Sequence, residues 1–240
     1  APLVAGDEAA WDAFHDRQEA AFEAWGMPEA KREVLRQWLT MPDLETTPDV
    51  TPFEGGDSFD VNGQVLDVVH APGHAAGLAM FETSVDGEAA VLSGDALLPV
   101  YTPNVGGADI RVDGALAKYV RVLRRIADAD YDRAWPGHRD PIDDPAGRAR
   151  TIADHHAERA WRVLDAVRTH QPVDTWTVSD HLFGDLEGIH ILHGPGEAHA
   201  HLEHLENAGD VVATEAGYRL ADGVADRLDA LDDERWDLGV

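Results

Sequence analysis

Trp11, Phe14, Ala21, Phe22 and Trp25 recur near helical spacing and predict an amphipathic helix over residues 7–25. A second helix is predicted over 28–40, with Pro28 suited to its first turn, and a Pro-, Thr- and Gly-rich loop over 41–56. The period then shortens. Residues 57–61 and 64–70 flank Asn62-Gly63, and 78–84 and 88–92 flank Asp86-Gly87, the signature of two tight hairpins. A helix over 113–129, a strand over 131–135 and a long helix over 144–169 follow. After Gln171-Pro172 come a short helix (175–183), a longer one (197–207) and a small hairpin (210–214 with 217–220). Helix, helix and two-stranded wing is the order of a winged helix. The expected division is therefore a first domain over 1–169 and a winged-helix-like domain over 170–240.

Composition narrows the class. Hydrophobic residues make up 44% of the chain, enough for a packed core. No apolar run approaches the ~20 residues of a membrane span. With no cysteine, a metal site must use His, Asp and Glu, which suits zinc, iron or manganese. The 46 acidic residues outnumber 19 basic ones, and only Lys31 and Lys118 are lysine. Acid spread along the whole chain fits a cytoplasm near molar salt, where a Debye length of ~3 Å screens self-repulsion. A halophile's cytoplasmic protein is the expectation.

Three short motifs carry the candidate chemistry: Pro72-Gly73-His74-Ala75-Ala76-Gly77, Ser93-Gly94-Asp95 and Pro136-Gly137-His138. Each places one metal-competent side chain where a predicted strand ends, after a glycine that lets the backbone turn close to a crowded site. Singly each is an ordinary turn. In this order, at three strand ends, they describe ligands held on separate loops by one rigid sheet.

On these motifs the chain resembles the metallo-β-lactamase superfamily. The resemblance covers residues 1 to about 165, and the tail is similar to the winged-helix extension of glyoxalase-like and endoribonuclease-like members. It implies an α+β fold, the αββα sandwich. It also implies a pair of divalent metal ions, zinc first, with iron or manganese as alternatives. His74 would bind one ion, His138 the other, and Asp95 would bridge them. A metal-bound hydroxide would then hydrolyse a small-molecule thioester, ester or lactone. The family's leading His-x-His-x-Asp-His motif is absent. The chain opens Ala1-Pro2-Leu3-Val4, where the strand after that motif would begin. A loss of roughly 70–90 residues, about half a typical domain, is expected, which would leave this piece inactive.

Further histidines need weighing. His199-Ala200-His201-Leu202-Glu203-His204 imitates the missing motif, but on a helix residues two apart point about 200° apart, and Leu202 and Leu205 read as a buried face. His155 and His156 sit on the long helix, either as a solvated face or, with Arg159, turned to the substrate opening; His156 and Tyr101 are the candidate substrate contacts. His70 is expected beside the site, and His190 and His193 at a loop or helix start. RNA cleavage is the alternative function, disfavoured because residues 174–240 hold only Arg219, Arg227 and Arg235 among many acids. A non-catalytic fragment is the third reading. A small-molecule substrate, no membrane and possible homodimers complete the expectation.

Overall fold

The computed structural model describes Leu3, residues 6–38 and residues 48–239. Helices α1 (Glu8–Ala24) and α2 (Glu29–Trp38) open the chain. They are followed by strands β1 (Ser58–Val61), β2 (Gln64–His70), β3 (Ala79–Val85) and β4 (Glu88–Gly94). Next come α3 (Ala115–Asp128), β5 (Arg133–Pro136) and the long α4 (Pro145–His170). The chain ends with α5 (Thr175–Phe183), α6 (His190–Ala208), the hairpin β6 (Val211–Thr214) and β7 (Gly217–Leu220), and α7 (Val224–Asp229). Of the predicted second helix, residues 39–40 lie outside the described residues, as do 41–47 of the predicted loop.

β1 to β5 form one five-stranded sheet in sequence order. The first three pairings are antiparallel and the last, β4 with β5, is parallel. Both predicted turns close as two-residue hairpins, with Asn62, Gly63, Asp86 and Gly87 all at positive φ. Met80 and Val91 point to one face, where α3 and α4 cover them. The register puts Phe59, Val68, Phe81 and Leu92 on the other, where Phe53 stacks edge-on against Phe59 and both rings are exposed. One helical layer and one sheet of the αββα order are thus built; a second large sheet is not among the described elements.

Three apolar cores share two helices. The first joins the sheet, α3 and the N-terminal half of α4. The second joins residues 160–167 of α4 with α5, α6, β6, α7 and Trp236. The third packs α1 and α2 on Ile191 and Leu192 of α6. One helix of 26 residues, about 39 Å long, lends its two halves to different cores. Helix α6 feeds all three cores through Ala200, Leu202 and Ile191. A side chain buried like Leu202 contributes about 1.5–3 kcal/mol. No described helix is long and apolar enough to cross a membrane.

Candidate metal centre

The three motifs meet at one end of the sheet. β4 runs out at Gly94, whose φ of 52° turns the chain so that Asp95 projects beyond the strand. β5 ends beside it, and the Gly137 N–H donates to the Gly94 carbonyl at 2.9 Å. A Cβ on Gly137 would stand 2.7 Å from Asp95 Oδ1, so a side chain before His138 would push the Asp95 carboxylate from its place. Gly73, at φ 146°, is equally constrained: a Cβ there would lie 2.5 Å from that of Tyr119. Both glycines fill the close-approach role read from the sequence.

Asp95 sits between the two histidines. Its Oδ2 lies 3.6 Å from His74 Nε2, and its Oδ1 lies 3.6 Å from His138 Nε2. Neither separation is a hydrogen bond. Oδ1 is buried and has no hydrogen-bond partner among the described residues. Each carboxylate oxygen thus faces a different imidazole across a gap. His74 Nδ1 lies 2.8 Å from the Asn104 carbonyl; a carbonyl can only accept, so Nδ1 carries a proton, and in the neutral ring the lone pair is on Nε2. His138 is the open member, its side chain 70% exposed.

The surrounding loops are pinned. The Ala76 N–H of the first motif donates to Asp109 at 2.9 Å. Burial opposes the Asp109 carboxylate, but the Arg111 guanidinium and two backbone N–H groups hold its pKa below the ordinary value. Arg148 donates to the carbonyls of Leu98 and Tyr101, fixing the segment after Asp95. The Tyr101 hydroxyl accepts from Arg139, the residue after His138, and the guanidinium lies over the Tyr101 ring. Tyr101 is therefore brought to the His138 side of the site. It also borders a cavity of about 310 Å³ with Asn104, Phe183, Leu186, His193 and Glu197.

His156 is not brought there. It is fully buried beneath Tyr119, with Nδ1 3.3 Å from His201 Nε2. The helix turns it into the protein, so the expected substrate contact is corrected to an internal one. The imitation motif on α6 is likewise taken up by structure. His201 bonds the Glu197 carbonyl, His204 bonds the Leu238 carbonyl, His199 stacks near Trp25, and Glu203 accepts from the Gly114 N–H ahead of α3. His156, Glu197 and His201 are nevertheless the one trio of metal-competent residues, among those described, whose ligand atoms all lie within 4.8 Å of one another. Two observations count against a cation there: both Glu197 oxygens are engaged, by Arg159 at 2.8 Å and Asn104 at 3.0 Å, and the Arg159 guanidinium occupies the neighbouring space. His70 stands in β2 and bonds the Ala76 carbonyl of the first motif; His190 and His193 lie in the first turn of α6. Helix α6 begins at His190, earlier than the predicted 197, running through Gly194-Pro195-Gly196.

The donor set at the sheet end fits divalent metal: two neutral-capable imidazoles with free Nε2 positions, and a carboxylate with a buried, unpartnered oxygen between them.

Comparison with known proteins bears on the family and the fold. The model of the metallo-beta-lactamase superfamily matches residues 7–138. A Drosophila melanogaster protein named beta-lactamase-like protein 2 homolog is 27% identical over 123 residues, 51% of this chain and 38% of its own length. A metallo-beta-lactamase family protein from Thermus thermophilus superposes with a TM-score of 0.70 at 31% identity, over 87% of this chain and 64% of that one. A beta-lactamase domain protein from Burkholderia ambifaria gives 0.67 at 24% identity, over 83% and 60%, a likeness of fold. The chain spans about two fifths of the curated relatives' length, 38% and 41% for the two animal homologues.

Proposed function

Because this chain belongs to the metallo-beta-lactamase superfamily, we propose that His74, Asp95 and His138 hold two divalent metal ions, zinc first, for hydrolysis of a small-molecule thioester, ester or lactone. The observation that carries the reading is Asp95, whose two oxygens each face a different histidine Nε2 at 3.6 Å. Bound there, the ions would supply Lewis acidity and an activated water at neutral pH.

The residues of the chain do the rest. Asp95, with one oxygen towards each histidine, would help hold both ions, and its charge would offset theirs. His74, held by its Nδ1–H on the Asn104 carbonyl, keeps one tautomer and one ring orientation. His138, exposed beside Tyr101, leaves its side of the site open for a substrate to enter. The adjoining cavity of about 310 Å³ has the size of a small-molecule pocket, and Phe183 and Leu186 give it an apolar wall. Arg159 behind it is neutralised by Glu197 and covered by Phe183, so it offers no free cation to a phosphate. This favours an acyl substrate over a phosphodiester. The segment 170–240 is read as a winged-helix-like unit used for packing.

Two ions held by these three side chains would each have two protein ligands among the described residues, one short of the usual three for catalytic zinc. Weak zinc retention and little turnover are expected of this chain by itself. Zinc titration in high KCl tests the reading. Weak uptake, lost on dialysis and abolished in Asp95→Ala, is the expected result. Uptake identical in wild type and Asp95→Ala would sink it.

A further inference from the structure

The carbonyl that orients His74 belongs to Asn104, and the Asn104 side chain is saturated. Its Nδ2 donates to the His193 carbonyl and to Glu197 Oε2, both at 3.0 Å, and its Oδ1 accepts from the N–H groups of Gly107 (3.0 Å) and Ala108 (2.9 Å). Two of these bonds stay within its own loop. The other two reach across to α6.

That crossing is built at backbone-to-backbone distance. A Cβ on Gly106 would lie 2.4 Å from the Gly196 carbonyl oxygen, and one on Gly107 would lie 2.6 Å from His193 Cα. Gly106-Gly107 on the loop and His193 and Gly196 on α6 meet backbone to backbone, with no room for a side chain at Gly106, Gly107 or Gly196. Glu197 is held in turn by Arg159 of α4, in an ion pair whose side chains are only 12% and 11% exposed. Glu203, nearly two turns further along α6, accepts from the Gly114 N–H at the head of α3. Helix α6 thus grips the sheet-end loop at its ligand-orienting residue and again at the next helix.

We propose that Asn104 is a positioning residue: through its bonds to His193 and Glu197, α6 fixes the tautomer and direction of His74. The C-terminal segment then serves the site as a splint and contributes no ligand of its own. The proposal rests on His74 being a metal ligand, but its first test does not. A loop freed from α6 lets the Asn104 carbonyl drift from His74 Nδ1, so both tautomers populate and Nε2 no longer points steadily at Asp95.

The test is a polarity swap in the whole chain. Asn104→Asp places an acceptor against Glu197, and Glu197→Gln places a donor against the Asn104 amide. The double variant restores one donor facing one acceptor, and the amide oxygen introduced by Glu197→Gln can still accept from Arg159. Imidazole ¹⁵N shifts of the metal-free protein, assigned by their loss in His74→Gln, report the His74 tautomer, and zinc titration reports affinity. Wild type should show His74 protonated at Nδ1. Each single variant should show a tautomer mixture and about 10–100-fold weaker zinc binding. The double variant should return part of both, through the contact with residue 197, because the bond to the His193 carbonyl stays lost. Single variants that leave the tautomer unchanged, or a double variant no better than the sum of the two, overturn the proposal. Circular dichroism and Tm separate a loosened loop from an unfolded chain: a single variant that unfolds while the double folds still supports the pairing. Unchanged zinc binding with an altered tautomer would instead count against the ligand reading of His74.

Discussion

Asp95 Oδ1 and His138 Nε2 face each other at 3.6 Å, and that carboxylate oxygen is buried without a partner among the described residues. A buried oxygen left unpartnered is a cost to the metal-free fold, although the side chain as a whole is 28% exposed. Asp95→Asn removes the charge and keeps the shape. The metal-free variant should melt at or above the wild-type Tm, while the zinc-induced rise in Tm disappears, since only ligands that bind the folded state raise it. Differential scanning fluorimetry with and without zinc checks both halves. A variant that keeps the full zinc-induced rise would remove Asp95 from the site.

The buried pair His156 and His201 sets a pH dependence. Burial pushes His201 down to about 3 and His156 well below its ordinary value, so both stay neutral in the fold. Unfolded, each takes a proton near ~6.5. From there down towards about 3 the unfolded chain binds more protons. Stability is therefore complete above ~6.5 and is lost as pH falls, by up to about 1.4 kcal/mol per pH unit for each histidine. Glu197, raised by burial, acts with the opposite sign, so the comparison between variants decides. Urea melts from pH 7 to 5 should show a shallower slope in His156→Gln than in wild type. Parallel slopes would mean that His156 is protonated in the fold.

Winged-helix order invites a search for nucleic acid, yet the would-be reading helix is spoken for. Ala198, Ala200, His201, Leu202, His204 and Leu205 of α6 are all buried. Arg227 and Arg235 are paired with Asp210 and Glu158. Binding to a single-stranded RNA oligomer, followed by fluorescence anisotropy at physiological salt, should be weaker than the ~10⁻⁴ M of ordinary non-specific complexes. Micromolar binding would restore the phosphodiesterase alternative.

The hairpins and the three ligand candidates were legible because local rules decide them. Asn62-Gly63 and Asp86-Gly87 require positive φ, and glycines before Asp95 and His138 mark strand-end turns. The early start of α6 was not legible. Gly194-Pro195-Gly196 reads as a helix breaker, but here Gly196 is needed for contact with Gly106 and Gly107, a demand set by residues some 90 positions away, and Gly194 for contact with Ser179 and Leu186. Asn104 was hidden for the same reason: a lone loop asparagine gives no sign that its partners are Glu197 and a carbonyl of α6. His156 shows the converse, since helical phase alone could not say which of two adjacent histidines turns inward.

The excess of acid should register in the salt dependence of stability. With a formal net charge of −27, self-repulsion in dilute buffer weakens the compact state. Raising KCl to ~1 M shrinks the Debye length to ~3 Å and removes most of that repulsion. Tm should climb steadily with KCl and continue to climb beyond the ~0.15 M at which screening reaches ~8 Å. A flat profile would count against a high-salt origin.

Gly196→Ala separates tertiary fit from helix propensity, because the two give opposite signs. Gly196 lies within α6, where alanine is favoured over glycine by about 1 kcal/mol on propensity alone. Yet a Cβ at 196 would stand 2.2 Å from Gly107 Cα and 2.5 Å from its nitrogen, and backbone on the far side cannot swing away as a side chain can. Overpacking of this kind typically costs about 1–3 kcal/mol. The net change should therefore be a loss, seen as a lower urea midpoint with an unchanged slope. Because the displaced backbone is the loop of Asn104, zinc affinity should fall with it, even though residue 196 touches none of His74, Asp95 or His138. A stabilised variant would mean that the loop and α6 part easily, and the splint would lose its physical basis.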